Sequence, residues 1–229
     1  MNDLDYKEWS NGVEKMKAVF SNQITSIDEL ESLRSEIGYP GTLASNKVIH
    51  ALDSNSVEFI NKSSFIVLAT SNHEGLCDAS PRGDAPGFVH VVDEKHLFIP
   101  ERPGNKRMDS IQNILQNPHI GIIFMIPGME ETFRINGKAC VTRDPALLSE
   151  TAVKGKLPIM GIGIEIEECY MHCAKAFKRS GLWTPDSWLS KSELPSASKI
   201  IAAHVRGKME VTEEQVKDSL EETYTKRLY

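Results

Sequence analysis

The feature that most constrains this fold is a series of short apolar runs of strand length, separated by turn residues, between Ser63 and His172. The first run, SSFIVLATS, is rich in β-branched residues and ends at the turn sequence NHEG. Strands are likewise predicted in LCDASPRGD, FVHVVD, HLFIP, HIGIIFMIPG, ETFRINGKACVTRD and MGIGIEIEECYMH. In the last of these, Ile162, Ile164 and Ile166 alternate with glycine and glutamate, as expected of a strand with one buried face. Six or seven antiparallel strands in about 110 residues predict a small β-barrel.

Helical patterns flank this strand series. Ser26 and Glu29 have the S-x-x-E spacing of a capping box, which predicts that a helix begins there. Further helices are predicted over KVIHAL (47–52), over 57–61 and over PALLSETAVK (145–154). Two more are predicted after about Leu194, and Thr212 and Gln215 form a capping pair at the start of the second.

Composition excludes several classes of protein. The net charge of −6 leaves no broad basic surface for nucleic acid. No run approaches the roughly 18 apolar residues of a membrane helix, and the polar N-terminus has no signal-peptide pattern. Four cysteines are too few for a disulfide scaffold, so a reducing, cytoplasmic location is expected.

Cys169, His172 and Cys173 lie within one five-residue stretch, CYMHC. A structural zinc site takes four ligands, usually as two separated pairs, and this stretch offers three candidates. We therefore predict no metal site, and interpret the cysteines as packing at a corner of the barrel.

One cluster of positive charge occurs where the start of a helix would repel it. In ERPGNKRMDS (101–110), Arg102, Lys106 and Arg107 surround the start of a helix predicted over 106–116, which stops before Pro118. Asn105 is a suitable N-cap residue, and the free N–H groups of a helix start bind phosphate well. With a phosphate bound, the three cations become its partners. The alternative is a solvated basic turn that tolerates the misplaced charges at a small cost.

Two further segments carry donors that suit a ligand site. ASPRGDAPGF places Arg82 after a strand, in a turn rich in proline and glycine, where it can approach a phosphate or pair with Asp84 at the surface. Strand alternation places Thr132, Arg134 and Asn136 on one face of ETFRINGKA. That donor-rich face suits the edge of a polar heterocycle, or it is simply the solvated face of an antiparallel sheet.

A third segment, HCAKAFKRSGLWTPDSW, combines cations with tryptophans. Lys175, Lys178 and Arg179 have helical spacing and precede Trp183 and Trp188. Such a helix can cover a planar ligand by stacking, or it can be an amphipathic surface helix with aromatics in the core.

In their order, these segments resemble the pyridoxamine 5′-phosphate oxidase-like flavoproteins, which bind FMN in a split β-barrel at a homodimer interface. SFIVLATS, SPRGD, a strand pair, the RPGNKR turn with its helix ending in NP, and ETFRING followed by KA carry the resemblance, which covers about Ser63 to Trp188. It implies a mainly β fold with peripheral helices (α+β), built on a six- to seven-stranded antiparallel split barrel. The chain is similar to a subgroup other than the vitamin B6 oxidase itself, since the C-terminal signature for the phosphate of pyridoxal phosphate is not evident.

The resemblance also implies FMN as the cofactor and suggests which residues bind it. The phosphate would be held by Arg82, Asn105, Lys106 and Arg107, and Arg102 would be a further ligand or a support of the turn. Ser80 would contact the ribityl chain or the ring, and Thr132 and Arg134 would lie near the isoalloxazine. Arg179 and Trp183 would come from the second subunit of the homodimer. No residue is predicted as a general base.

The implied function is that of an FMN-dependent oxidoreductase. The alternative is a flavin, deazaflavin or haem binding or storage protein on the same barrel, and haem would take one of His73, His90, His119 and His172 as its axial ligand. The predicted domain organisation is a helical extension over 1–62, the split-barrel FMN domain over 63–190 and C-terminal helices over 191–229.

Overall fold

The computed structural model describes Met16, residues 19–227 and Tyr229. The remainder of the predicted N-terminal extension, 1–15 with 17 and 18, lies outside the described residues. The chain divides into two compact units, one up to Asn46 and one from Lys47 on. The first unit contains helices α1 (Ile27–Ile37) and α2 (Thr42–Asn46). The predicted capping box begins α1, because Ser26 and Glu29 each accept a hydrogen bond from the other's backbone N–H.

The second unit is built on a seven-stranded antiparallel sheet. Its strands are β1 (Phe65–Ser71), β2 (Cys77–Gly83), β3 (His90–Val91), β4 (His96–Pro100), β5 (His119–Met125), β6 (Thr132–Thr142) and β7 (Gly161–His172). Their order in the sheet is β2-β1-β5-β6-β7-β4-β3, which leaves β2 and β3 as edges. The sheet is therefore an open, split barrel, as predicted.

The second unit also contains six helices among its described residues. They are α3 (Ser54–Lys62), α4 (Asp109–Gln116), α5 (Pro145–Glu150), α6 (Lys175–Ser180), α7 (Ala197–Val205) and α8 (Glu213–Lys226), with a short 3₁₀ turn at Pro185–Ser187. The two predicted C-terminal helices are present, and Thr212 and Gln215 form the predicted capping box of α8. None of the described helices has both the length and the apolar character needed to span a bilayer.

The core lies on the inner face of the sheet. Strand alternation turns Ile66 and Leu68 of β1 inward, where both are fully buried, and α3 adds Phe59 and Ile60 to the same cluster. Each large apolar side chain that is fully buried contributes roughly 1.5–3 kcal/mol to stability. Helix α3 thus belongs to the core cluster, although its sequence lies in the predicted N-terminal extension.

Long strands β6 and β7 pair along their whole length, with a register shift between Asn136 and Gly137. A Cβ at Gly137 would lie 2.1 Å from the carbonyl oxygen of Glu165. This approach of two backbones explains why a residue without a side chain occupies the bulge.

Three predicted elements differ from the structure. The segment KVIHAL is not helical, because Ile49 instead exchanges backbone hydrogen bonds of 3.0 and 2.8 Å with Cys169 of β7. The strand predicted in FVHVVD is reduced to β3, which pairs with β4 through His90 and Val91 alone. Helix α5 ends at Glu150, before the left-handed residues Lys154 and Gly155.

Candidate functional site

A cavity of about 370 Å³, called the β2 cavity below, opens between the edge strand β2 and the loop that joins β4 to α4. It is lined by residues 78–83 of β2, by Pro100 at the end of β4, by 101–105 and Met108 of the loop that follows, by 109–110 at the start of α4, and by Phe88. Arg82 pairs with Ile66 across the sheet, and Ser80 pairs with Leu68. Because paired residues project from the same face, Ser80 and Arg82 share the inward face of β1 and line the cavity from that side.

Arg82 is therefore a strand residue, and the prediction that it lies in a turn is wrong. The turn-like residues Pro81 and Gly83 are accommodated because β2 is an edge strand, where proline needs no partner for a missing N–H group. Its ion-pair partner also differs from the alternative considered, since Arg82 Nη1 donates to Glu101 Oε2 rather than to Asp84. The Nε atom of Arg82 is buried and has no hydrogen-bond acceptor among the described residues.

Arg102 provides the second guanidinium of the cavity. Its Nε donates to Asp84 Oδ2 over 2.7 Å, and its Nη1 donates to the carbonyl oxygen of Thr151 over 2.9 Å. The Asp84 side chain is only 2% exposed. Burial raises the pKa of Asp84, but its hydrogen bonds outweigh that effect and leave the pKa below its usual value. Arg102 is thus held in one orientation at the cavity wall.

The loop over the cavity has an unusual backbone. Lys106 and Met108 adopt the left-handed region, with φ of 62° and 61°. Non-glycine residues rarely occupy that region, and residues with strained backbone cluster at active sites and ligand-binding segments. Helix α4 consequently begins at Asp109, with Met108 at the N-cap position and no side-chain cap hydrogen bond.

Asn105 is not the N-cap residue that the sequence predicted. Its Oδ1 accepts a 3.0 Å hydrogen bond from the backbone N–H of Arg107, two residues further on, so Asn105 stabilises the loop that precedes the helix. The reason is the left-handed turn at Lys106 and Met108, which delays the first helical residue. Helix α4 does end at Gln116, before the Asn117-Pro118 pair, as predicted.

The three predicted cations of the loop differ in position. Arg102 lines the cavity, whereas Lys106 and Arg107 are not among its lining residues. The Arg107 side chain is 71% exposed, and its Nε donates to Asp109 Oδ2 over 2.8 Å. That hydrogen bond raises the pKa of Arg107 above its usual value.

Thr132 and Arg134 lie on β6 and project from the other face of the sheet. Across the sheet, Ser80 pairs with Leu68, Leu68 with Ile122, and Ile122 with Ile135, so these side chains share one face. Arg134 is next to Ile135 in β6 and therefore projects from the opposite face. The Arg134 guanidinium lies 5.8 Å from the centroid of the Tyr170 ring. Its Nη1 is 3.2 Å from the Tyr170 hydroxyl oxygen, and Thr132 is buried. Neither Thr132 nor Arg134 lines the β2 cavity.

Arg179 and Trp183 lie on α6 and in the turn that follows it. Trp183 donates from its indole Nε1 to the carbonyl oxygen of Met129 over 2.9 Å, and it stacks on Phe177 with ring centroids 5.9 Å apart. Arg179 is exposed. Their assignment to a second subunit's site stays a prediction.

Cys169 of the CYMHC stretch is buried, while Cys173 is exposed. Burial raises the pKa of Cys169 to about 11. Across the portion of the chain that the structure describes, no three His, Cys, Asp or Glu side chains are grouped as metal ligands.

Sequence reasoning missed three acidic or aromatic groups around the cavity. Glu101 pairs with Arg82, Asp78 accepts a 2.9 Å hydrogen bond from Ser110 Oγ, and the Tyr229 hydroxyl donates to Asp84 over 2.6 Å. The acidic residues stand beside the basic motifs in the sequence, so their proximity was a usable signal. Nothing local connects Tyr229 with this site.

The family model described as pyridoxamine 5′-phosphate oxidase matches residues 52–173. No curated protein matches the chain. Among solved structures, HupZ from Group A Streptococcus is 18% identical, with 52% of this chain and 93% of that chain covered and a TM-score of 0.43.

Two other solved structures show similar figures. General Stress Protein 26 from Bacillus anthracis is 15% identical, with 50% of this chain and 88% of that chain covered and a TM-score of 0.40. HutZ, a heme storage protein from Vibrio cholerae, is 16% identical, with 52% and 93% covered and a TM-score of 0.39.

Proposed function

Because the chain belongs to the pyridoxamine 5′-phosphate oxidase family, we propose that it is an FMN-dependent oxidoreductase whose flavin phosphate binds in the β2 cavity. The observation that carries this proposal is the Nε atom of Arg82, a buried donor without an acceptor among the described residues. Leaving such a donor unpaired costs about 1–3 kcal/mol. A phosphate oxygen in the adjoining cavity supplies the missing acceptor.

Four predicted ligands line this cavity together, namely Ser80, Arg82, Arg102 and Asn105. Two guanidinium groups and a hydroxyl suit a phosphate, because arginine forms bidentate, charge-assisted hydrogen bonds to its oxygens. The start of α4 adds backbone N–H groups without a side-chain cap. Glu101 and Asp84 already neutralise the two arginines, so an incoming phosphate competes with Glu101 for Arg82.

When bound, FMN supplies the hydride and electron transfer chemistry. The residues of the chain bind it, orient it and set the charge around it. We assign Arg134 to the edge of the flavin ring that gains negative charge on reduction, since a fixed cation there stabilises the reduced form. The Tyr170 ring and hydroxyl hold the Arg134 guanidinium for that role.

The opposite orientations of Ser80 and Arg134 support a homodimer. One chain presents these residues on different faces of its sheet, so a second copy is needed to bring a group like Arg134 to a flavin held beside Ser80. The outer face also carries apolar side chains next to Arg134. Val67 and Ile123 pair there and are half-buried, and Phe65 is 38% exposed. A second copy of the sheet would cover them.

Haem binding has less support from this cavity. An axial ligand is usually histidine, cysteine, methionine or tyrosine. Among the described residues that line the cavity, Met108 is the one side chain of these types. The predicted candidates lie elsewhere, and His90, for example, contacts Glu150 over 2.9 Å.

The first experiment is an absorbance spectrum of the purified protein, followed by mass analysis of the molecule that heat releases. We expect the two-banded spectrum of a flavin and the release of FMN. A haem spectrum, or a colourless protein that does not bind added FMN, would contradict the proposal. Consumption of NAD(P)H in the presence of oxygen then separates an oxidoreductase from a storage protein.

A pair of variants tests which cations hold the phosphate. Arg82→Met should raise the FMN dissociation constant by roughly 10- to 150-fold. Arg143→Met, which removes the same charge outside the cavity, should leave it unchanged. Replacing Lys106 and Arg107 with alanine tests the predicted outer ligands. FMN retention in that double variant would restrict the phosphate site to the inner arginines.

A further inference from the structure

Asp84 is a buried carboxylate that contacts both Arg102, which lines the candidate cofactor cavity, and Tyr229, which lies 145 residues away in the sequence. It follows directly after β2, and its side chain is 2% exposed. A charge removed from water in this way is tolerated only when it is paired and hydrogen-bonded. Its Oδ2 accepts from Arg102, and its Oδ1 accepts from the backbone N–H of Ala85 over 2.8 Å and from the hydroxyl of Tyr229 over 2.6 Å.

Two lysines hold Tyr229 beside Asp84. Lys156 donates from Nζ to the carbonyl oxygen of Tyr229 over 2.9 Å. The Nζ of Lys154 lies 4.8 Å from the centroid of the Tyr229 ring, within the range of a cation–π interaction. Both lysines belong to the tight turn after α5, where Val153 and Lys156 exchange backbone hydrogen bonds. Three contacts therefore orient Tyr229: one to its hydroxyl, one to its ring and one to its backbone.

The same cluster fixes Arg102. The Arg102 guanidinium has two acceptors, Asp84 and the carbonyl oxygen of Thr151, and Thr151 lies just before the turn that holds Tyr229. Arg102 also lines the cavity that takes the phosphate in the proposed function. If Asp84 loses the phenol donor, its carboxylate can rotate toward other donors. Arg102 then loses a fixed partner.

We propose that Tyr229 is a positioning residue of the cofactor site, which holds the Asp84 carboxylate and through it directs the Arg102 guanidinium at the flavin phosphate. This inference rests on the proposed function for its ligand. The geometry of the three residues is independent of that function. Tyr229 does not itself line the cavity, and its link to the cavity runs through Asp84 to Arg102.

The test compares Tyr229→Phe with Tyr224→Phe in the full chain. Both changes remove one phenolic oxygen, but Tyr224 lies on α8 with 65% of its surface exposed. The first measurement is the exchange of the Arg102 Nε–H with water by nitrogen-15 NMR of the protein without added ligand. We expect Tyr229→Phe to speed this exchange at least fivefold, and Tyr224→Phe to leave it unchanged. Equal exchange in both variants overturns the inference.

The second measurement is FMN affinity, with the thermal unfolding midpoint as a check on folding. We expect the FMN dissociation constant of Tyr229→Phe to rise about tenfold, the effect of losing one well-placed hydrogen bond from Arg102 to the charged phosphate. If the wild-type protein binds FMN and the Tyr229→Phe variant binds it equally well, the positioning role is wrong while the proposed function stands. If the wild-type protein does not bind FMN, the proposed function fails, and with it the role assigned to Tyr229.

Discussion

Replacing Arg82 with methionine separates what this arginine does for stability from what it does for binding. The side chains of Arg82 and Glu101 are 14% and 18% exposed, so their ion pair is largely shielded from water. Removing one partner of a fully buried pair costs about 3–5 kcal/mol, because the other charge stays buried without compensation. Partial contact with water lowers that cost, and we expect Arg82→Met to reduce the free energy of unfolding by about 2–3 kcal/mol.

The double variant Arg82→Met with Glu101→Leu should recover most of this stability. It replaces the ion pair with apolar side chains of similar size, an exchange that is often neutral or stabilising. The double variant should not recover FMN affinity, because the phosphate still lacks its charged donor. A charge-assisted hydrogen bond is worth about 1.5–3 kcal/mol, which corresponds to a rise of roughly 10- to 150-fold in the dissociation constant.

The assays are urea unfolding followed by circular dichroism and FMN titration followed by quenching of flavin fluorescence. The matched control is the same cycle at Glu58 and Lys62, whose side chains are 62% and 64% exposed. Solvent screening should leave the coupling at the control pair much smaller. Two results would refute the reasoning. One is a coupling at Arg82 and Glu101 no larger than at the control pair, and the other is normal FMN affinity in the double variant.

Three further predictions follow from single positions. Gly137→Ala should destabilise the protein by more than about 2 kcal/mol, because its Cβ would lie 2.1 Å from a carbonyl oxygen. Gly163→Ala should cost less, because its Cβ meets its nearest atom, the Cys140 sulfur, at 3.2 Å, and equal urea midpoints for the two variants would contradict this. Cys169, with a pKa raised to about 11 by burial, should react with iodoacetamide at pH 8 far more slowly than the three exposed cysteines, and mass analysis showing equal rates would refute it. Because the pKa of Asp84 is lowered in the folded protein, its contribution to stability is present above the pKa of the unfolded state, about 3.9, and is lost as the pH falls through the pKa of the folded state. Asp84→Asn should therefore flatten the acid side of the stability curve, and an unchanged slope below pH 4 would exclude that contribution.

Local patterns were sufficient to predict most of the sheet. The alternation in β7 repeats every two residues, and β1 is a short apolar run rich in β-branched residues; both signals lie in a few consecutive residues and do not depend on the pairing partner. The helix predicted over KVIHAL is wrong because the conformation of this segment depends on a partner far away in the sequence. Its Ile49 adopts an extended conformation to pair with Cys169, and the order of residues near Ile49 contains no sign of that pairing.

The candidate site divides in the same way. The sequence alone showed that the SPRGD and RPGN segments carry arginines suited to a phosphate, because residue type is a property of each position. Only the tertiary structure decided that Arg82 pairs with Glu101 and Arg102 with Asp84, and that Arg134 projects from the opposite face. These relations depend on strand register and on contacts between residues far apart in the chain, and a shift of one residue in register reverses the face on which every side chain lies.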